Sequence, residues 1–161
     1  MLPPFKNEPL TDFSLQAHYN AFCDALALLK SRFGRHYPLV IGGEQIQLDN
    51  TFKSVNPARP DEVIGYFSLA DAALADKAVD VAFEAYRTWQ YTPAEERARY
   101  LLKAAAEMRR RKHEFSAAMV LEVGKSWAEA DGDTAEAIDF LEYYARQLLR
   151  IADSSHMLHQ K

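Results

Sequence analysis

One cysteine and no long apolar run exclude several classes of protein before any motif is sought. A lone Cys23 allows no intrachain disulfide, so nothing in the chain calls for an oxidising compartment. No segment approaches the roughly 20 apolar residues of a membrane span, and the opening MLPPFKNEPL lacks the basic start and apolar run of a signal peptide. The expectation is a cytoplasmic protein with no membrane partner. Positive charge is also in short supply: 19 Lys and Arg stand against 23 Asp and Glu, net −4, which argues against a nucleic-acid partner. The single basic run, Arg109-Arg110-Arg111-Lys112, falls at the end of a helix, where it complements the macrodipole. Gly-x-Gly-x-x-Gly, paired Cys-x-x-Cys and His-Glu-x-x-His are all missing, and the histidines His18, His36 and His113 are scattered.

What is present is a 161-residue chain, 48% hydrophobic, long enough for one core. Residues 1–10 are Pro-rich and read as extended. A helix over 12–33 carries Leu15, Tyr19, Phe22, Leu26, Leu29 and Phe33 on one stripe and stops at Gly34. Cys23 lies beside that stripe with no basic or His neighbour at i±3 or i±4, the surroundings of an inert packed thiol. Between 38 and 68 come small antiparallel strands: a hairpin turning at Gly42-Gly43, then TFKSV and EVIGYFSL around a proline-bearing turn, Asn56 to Asp61.

Helices fill 71–152. Asp71 caps one that carries Ala75, Val79, Ala82, Phe83 and Tyr86 on one side; Thr92-Pro93-Ala94-Glu95 opens another that buries Ala98, Leu101, Leu102, Ala105 and Met108. The fold class is therefore α+β, mostly helical with a small antiparallel β-hairpin region.

Gly124-Lys125-Ser126 invites comparison with a phosphate-binding loop. Such a loop needs a glycine five residues before Gly124, where Met119 stands, and it must leave a strand rather than a helix. Instead Gly124 ends the helix that starts near His113, and Ser126-Trp127-Ala128-Glu129 is a capping box for the next. That last helix presents Trp127, Ala130, Thr134, Ala137, Ile138, Leu141, Tyr144, Leu148 and Ile151 along one face. It also carries Glu129, Asp133 and Glu136 at i, i+4 and i+7, with Asp131 and Asp139 nearby. Like charges at such spacings oppose an isolated helix, and no Lys or Arg stands at i±3 or i±4 from Glu136. Either this face is solvated, or a cation from elsewhere in the protein or from a ligand meets it. The tail 153–161 loses the pattern; His156 and His159 share a helical spacing there but are only two ligands, so the tail reads as a polar end or a reading-frame scar.

LVIGGE, SVNPARPDEVIG, AYRTW, ERARYLLKAAAEMRRRKHEF, LEVGKSWAEAD and AIDFLEYYAR, in that order, resemble the aldehyde dehydrogenase superfamily. FKNEPLTDF and GRHYPLVIGGE are most similar to its 1-pyrroline-5-carboxylate (glutamate γ-semialdehyde) dehydrogenases of proline degradation. The resemblance runs from about Phe5 to Ala152 and makes 1–152 the N-terminal portion of the family's α/β cofactor-binding domain, with 153–161 a divergent tail.

The resemblance implies an intact, much longer enzyme that uses NAD, a small-molecule aldehyde substrate and homo-oligomeric assembly. In it a cysteine thiolate attacks the aldehyde, and a glutamate activates the water that releases the acid. Those residues have no counterpart here, and Cys23 matches none of the family's motif positions. The chain alone is expected to be inactive, to bind no cofactor by itself, and to self-associate or need a partner. Two alternatives accompany this: a non-catalytic helical module that pairs with a full-length dehydrogenase, or the relic of a truncated gene. One position of the family's substrate site matches: the glutamate two residues before Ile-Asp-Phe, close to the substrate's amino group, is Glu136.

Overall fold

The computed structural model describes residues 2–153; the tail from Ser154, with His156 and His159, lies outside them. Five helices and five short strands follow one another in blocks: α1 (Gln16–Lys30), β1 (Arg35–Tyr37), β2 (Leu39–Ile41), β3 (Glu44–Ile46), β4 (Thr51–Asn56), β5 (Arg59–Ser68), α2 (Ala72–Trp89), α3 (Ala94–Arg110), α4 (Lys112–Val123) and α5 (Trp127–Ala152). The α+β, mostly helical reading holds.

α5 is the spine. α3 and α4 pack along it, and α1 packs on the outer side of α4. Their seams are narrow because the buried residues are small: Ala98 and Ala105 on α3, Ala117 on α4, and Ala130, Ala135 and Ala145 on α5. The largest buried side chain is Phe22 of α1, fully covered by Phe13, Leu26, Leu29, Val120 and Trp127. Between α4 and α5 a polar pair is equally dry: the Ser116 and Thr134 hydroxyls lie 2.8 Å apart, so one donates to the other. The accepting hydroxyl directs its own proton to the carbonyl one turn back, Lys112 for Ser116 or Ala130 for Thr134. Every buried hydroxyl there has a partner, so the pair costs little.

α1 starts later than the stripe suggests. Asp12 holds a turn instead, accepting from the Ser14 amide and hydroxyl at 3.0 and 2.6 Å, and the helix opens at Gln16. The Thr92 cap does not form: Pro93 is the N-cap, and its carbonyl accepts from both Glu96 and Arg97 at 3.1 Å. By contrast, Asp71 caps α2 through the Leu74 amide at 2.9 Å. At the Gly-Lys-Ser stretch, Gly124 takes φ 77°, in the left-handed region that a Cβ resists, and the Ser126–Glu129 capping box is complete in both directions. The stretch is a helix-to-helix junction.

The hairpin β2–β3 turns on Gly42 and Gly43, both at positive φ, and β4 pairs antiparallel with β5. One pairing was not foreseen: β1 runs parallel to β5, giving the order β1-β5-β4. Pro60, expected in the turn, lies inside β5. Two register shifts in β4 open the ladder opposite it, and β1 reaches only Gly65 to Phe67, so its missing N–H leaves no bond unmade. A Ser54 hydroxyl donating to Glu122 at 2.8 Å and an Arg32–Glu114 pair at 2.6 Å tie α4 to the sheet and to α1. Arg111 also grips Glu114, and the Arg111 and Arg32 guanidiniums together pull its carboxyl down to about 2.

α2 stands apart. It rests on β2 and buries none of its residues; Leu74, Ala78 and Val81 are only half-covered. The apolar side foreseen for it exists but points outward, with Val79 67% and Phe83 62% exposed.

Candidate functional site

The acidic face of α5 resolves, residue by residue, into partners. Glu129 belongs to the capping box, and Lys125, just before the helix, pairs with Asp133. Asp131 is almost wholly buried and takes the Lys112 ammonium at 2.9 Å, the Thr11 amide at 2.7 Å and the Thr11 hydroxyl at 2.6 Å. Burial pushes its carboxyl up, but these hydrogen bonds and the ammonium outweigh that and hold it below the ordinary carboxylate value. Asp139 accepts from the Asn7 side chain and the Glu8 amide, both at 2.7 Å. Glu136 alone of the five is exposed with no hydrogen bond or ion pair among the described residues. Of the two alternatives for this face, cations from within the protein meet Asp131 and Asp133, amide and hydroxyl donors hold Glu129 and Asp139, and Glu136 is left exposed to solvent.

Its surroundings are supplied by α5 and by the N-terminal segment, which crosses α5 as a strap. Glu8 pairs with Arg109 at 2.7 Å, Lys112 donates to the Pro9 carbonyl at 2.8 Å, and Arg146 donates to the Pro3 carbonyl at 3.2 Å. Phe5 meets Tyr143 edge-on with centroids 5.5 Å apart. Between strap and helix lies a cleft of about 290 Å³ that holds Glu136 and Asp139 on its floor. Phe140 and Tyr144, stacked at 5.9 Å, form one wall; Phe5, Asn7 and Tyr143 form the other. One free carboxylate among aromatic faces is a setting for an organic cation, which draws on charge and on ring quadrupole together.

A larger cleft, about 620 Å³, lies on the other side of the strap along residues 109–114 with His18 and His113. Its cations are spent: Arg109 on Glu8 and Glu142, Arg110 on Glu107, Arg111 on Glu114, Lys112 on Asp131. Burial pushes the His113 imidazole down from its ordinary value. The basic run is thus engaged in ion pairs, beyond the dipole role expected of it. Cys23 sits half-buried on α1 and lines neither cleft.

Sequence reasoning singled out Glu136, which the structure leaves exposed in this cleft, and did not point to Phe5, Asn7 or the strap's docking, for which a Pro-rich extended stretch gives no periodic signal. Asp131 was legible: it falls at i, i+4 and i+7 with Ala135 and Ile138, on the buried face, and a carboxylate there demands a cation.

The Aldehyde dehydrogenase family model matches residues 45–160, reaching into the tail set apart above. A protein of Geobacillus sp. (strain WCH70) named 1-pyrroline-5-carboxylate dehydrogenase is 55% identical over 153 residues, 95% of this chain and 30% of its own length. The protein of that name from Bacillus subtilis (strain 168) is 50% identical over 96% of this chain and 30% of its own. Among solved structures, 1-pyrroline-5-carboxylate dehydrogenase from Thermus with bound NAD superposes with a TM-score of 0.93 at 46% identity, over 99% of this chain and 31% of that one. The NAD- and cobalamin-bound Delta-pyrroline-5-carboxylate dehydrogenase of Mycobacterium tuberculosis gives 0.84 at 31% identity, over 92% and 29%. The chain thus spans about 30% of the length of the curated relatives it matches.

Proposed function

Because the chain belongs to the aldehyde dehydrogenase family, we propose that it forms the N-terminal part of an NAD-dependent dehydrogenase that oxidises glutamate γ-semialdehyde to glutamate in proline degradation. Its share in that activity is substrate recognition: the Glu136 carboxylate receives the substrate's ammonium in the cleft lined by Phe5, Phe140, Tyr143 and Tyr144. The observation that carries this is the isolation of Glu136, the one acidic side chain of its face left without a partner. The names of the relatives, at 50–55% identity, support the choice of substrate.

NAD does not fit the residues described here. Its pyrophosphate is commonly held by glycine-loop amides at a helix N-terminus. At α5 those amides face the Ser126–Glu129 capping box, which already seats a carboxylate, and no glycine-rich strand-to-helix turn exists among the described residues. A covalent route also needs an activated nucleophile with a base in reach, and no base is hydrogen-bonded to Cys23 among the described residues. We therefore expect no aldehyde oxidation from the chain alone.

A chimera tests the reading. This chain would replace the matching 30% of the Geobacillus relative, and the product would be assayed for NADH formation from glutamate γ-semialdehyde. An active chimera is expected. Glu136→Gln in it keeps the shape and removes the charge, which should lower kcat/KM by about one to two decades, the worth of a charge-assisted hydrogen bond. An aldehyde without the amino group should lose far less. Equal losses on both substrates would assign Glu136 to the fold instead.

A second reading is favoured by the bare side of α2: a non-catalytic module that pairs with a full-length dehydrogenase.

A further inference from the structure

We propose that the N-terminal strap is the selectivity element of the Glu136 cleft, with Asn7 as its positioning residue. This rests on the reading of Glu136 as an ammonium receptor. Glu136 and Asp139 stand three residues apart on α5, neighbours on the helix surface. Left alone, two such carboxylates repel one another and together offer the oxygen ligands that a divalent cation seeks. The strap prevents this by engaging both oxygens of Asp139. Asn7 Nδ2 donates to Oδ2 and the Glu8 amide donates to Oδ1, each at 2.7 Å. Asp139 is thereby committed to the protein, and the cleft presents one carboxylate.

Phe5 adds to the discrimination. It is carried on the same strap against Tyr143 and lines the open cleft with an aromatic ring. A divalent metal ion holds its hydration shell and gains little from aromatic walls, whereas an alkylammonium exchanges its shell for them readily. The anchors that hold the strap in register lie outside the cleft: Glu8 on Arg109, Thr11 on Asp131, and the Pro9 carbonyl on Lys112. Selectivity for a single organic cation is thus written partly in a segment that touches no reacting atom.

The test uses the whole chain and two probes, Mn²⁺ alone and n-butylammonium. Mn²⁺ binding is read from the electron paramagnetic resonance of the free ion, and butylammonium binding from saturation transfer to the ligand. Asn7 is exposed, so Asn7→Ala should leave the circular dichroism unchanged. It should tighten Mn²⁺ binding about threefold or more by freeing one carboxylate oxygen. Adding Asp139→Asn should return Mn²⁺ binding to the parental level. Asn7→Gln, which retains an amide donor, should resemble the parent. Unchanged Mn²⁺ binding in folded Asn7→Ala overturns the proposal, as does Asn7→Gln binding Mn²⁺ as tightly as Asn7→Ala. The ammonium reading is scored separately. If butylammonium shows no transfer that Glu136→Gln abolishes, that reading fails, while the Mn²⁺ series still decides the role of the strap.

Discussion

Lys112 and Asp131 form the most deeply covered ion pair among the described residues, their side chains 11% and 2% exposed. The pair is valuable mainly because neither member can be left alone. Lys112→Met should cost about 3–5 kcal/mol in a urea titration, since it strands a buried carboxylate. Lys112→Met with Asp131→Leu should recover most of that loss, because a matched apolar pair carries no desolvation debt. If the double variant is no more stable than the single one, the hydrogen bonds from Thr11 matter more than the ion pair. At this scale the sequence was half legible. Glu136 stood out because nothing at i±3 or i±4 could answer its charge. Asn7 did not, because its partner Asp139 is 132 residues away and no local spacing reports such a contact.

Elements were more legible than contacts. The hairpin glycines, the stop at Gly124 and the Ser126 box were all readable, because local backbone preference and side-chain reach determine each one within a few residues. The failures share a cause. The Thr92 cap lost to a helix opening one residue later, and Pro60 entered a strand because tertiary pairing leaves its face unoccupied. β1 is three residues long, too short for an alternating pattern to declare it or its parallel direction. The α4–α5 junction invites a direct measurement. Ser126→Ala removes one half of the capping box and should cost about 1 kcal/mol. Gly124→Ala forces a Cβ into positive φ, 3.1 Å from the Pro57 ring, and should cost about 1–2 kcal/mol. Chemical denaturation of the two variants checks both values, and a neutral Gly124→Ala would mean that the junction relaxes at no cost.

For the molecule as a whole, the uncovered side of α2 sets behaviour in solution. A helix of 18 residues that buries none of them gains little from tertiary packing, and its stripe of Val79, Phe83 and Tyr86 is a contiguous apolar surface. The chain should bind a hydrophobic dye and sediment as more than a monomer, and Phe83→Lys should reduce both effects. Incubation with an intact relative should yield a mixed assembly that Phe83→Lys weakens. A dye-silent monomer, sedimenting identically with and without the relative, would contradict both self-association and pairing. The strap carries a different consequence. Its hydrogen bonds join residues 101 to 143 positions apart, so this segment leaves the ribosome well before the α5 surface on which it sits. Until α5 is made, Phe5, Asn7 and Glu8 have no surface to hold, and Glu136 with the rest of the cleft does not yet exist. The cleft forms only after α5 has emerged, so any ligand selectivity that depends on the strap begins with the docking of two segments made far apart in time.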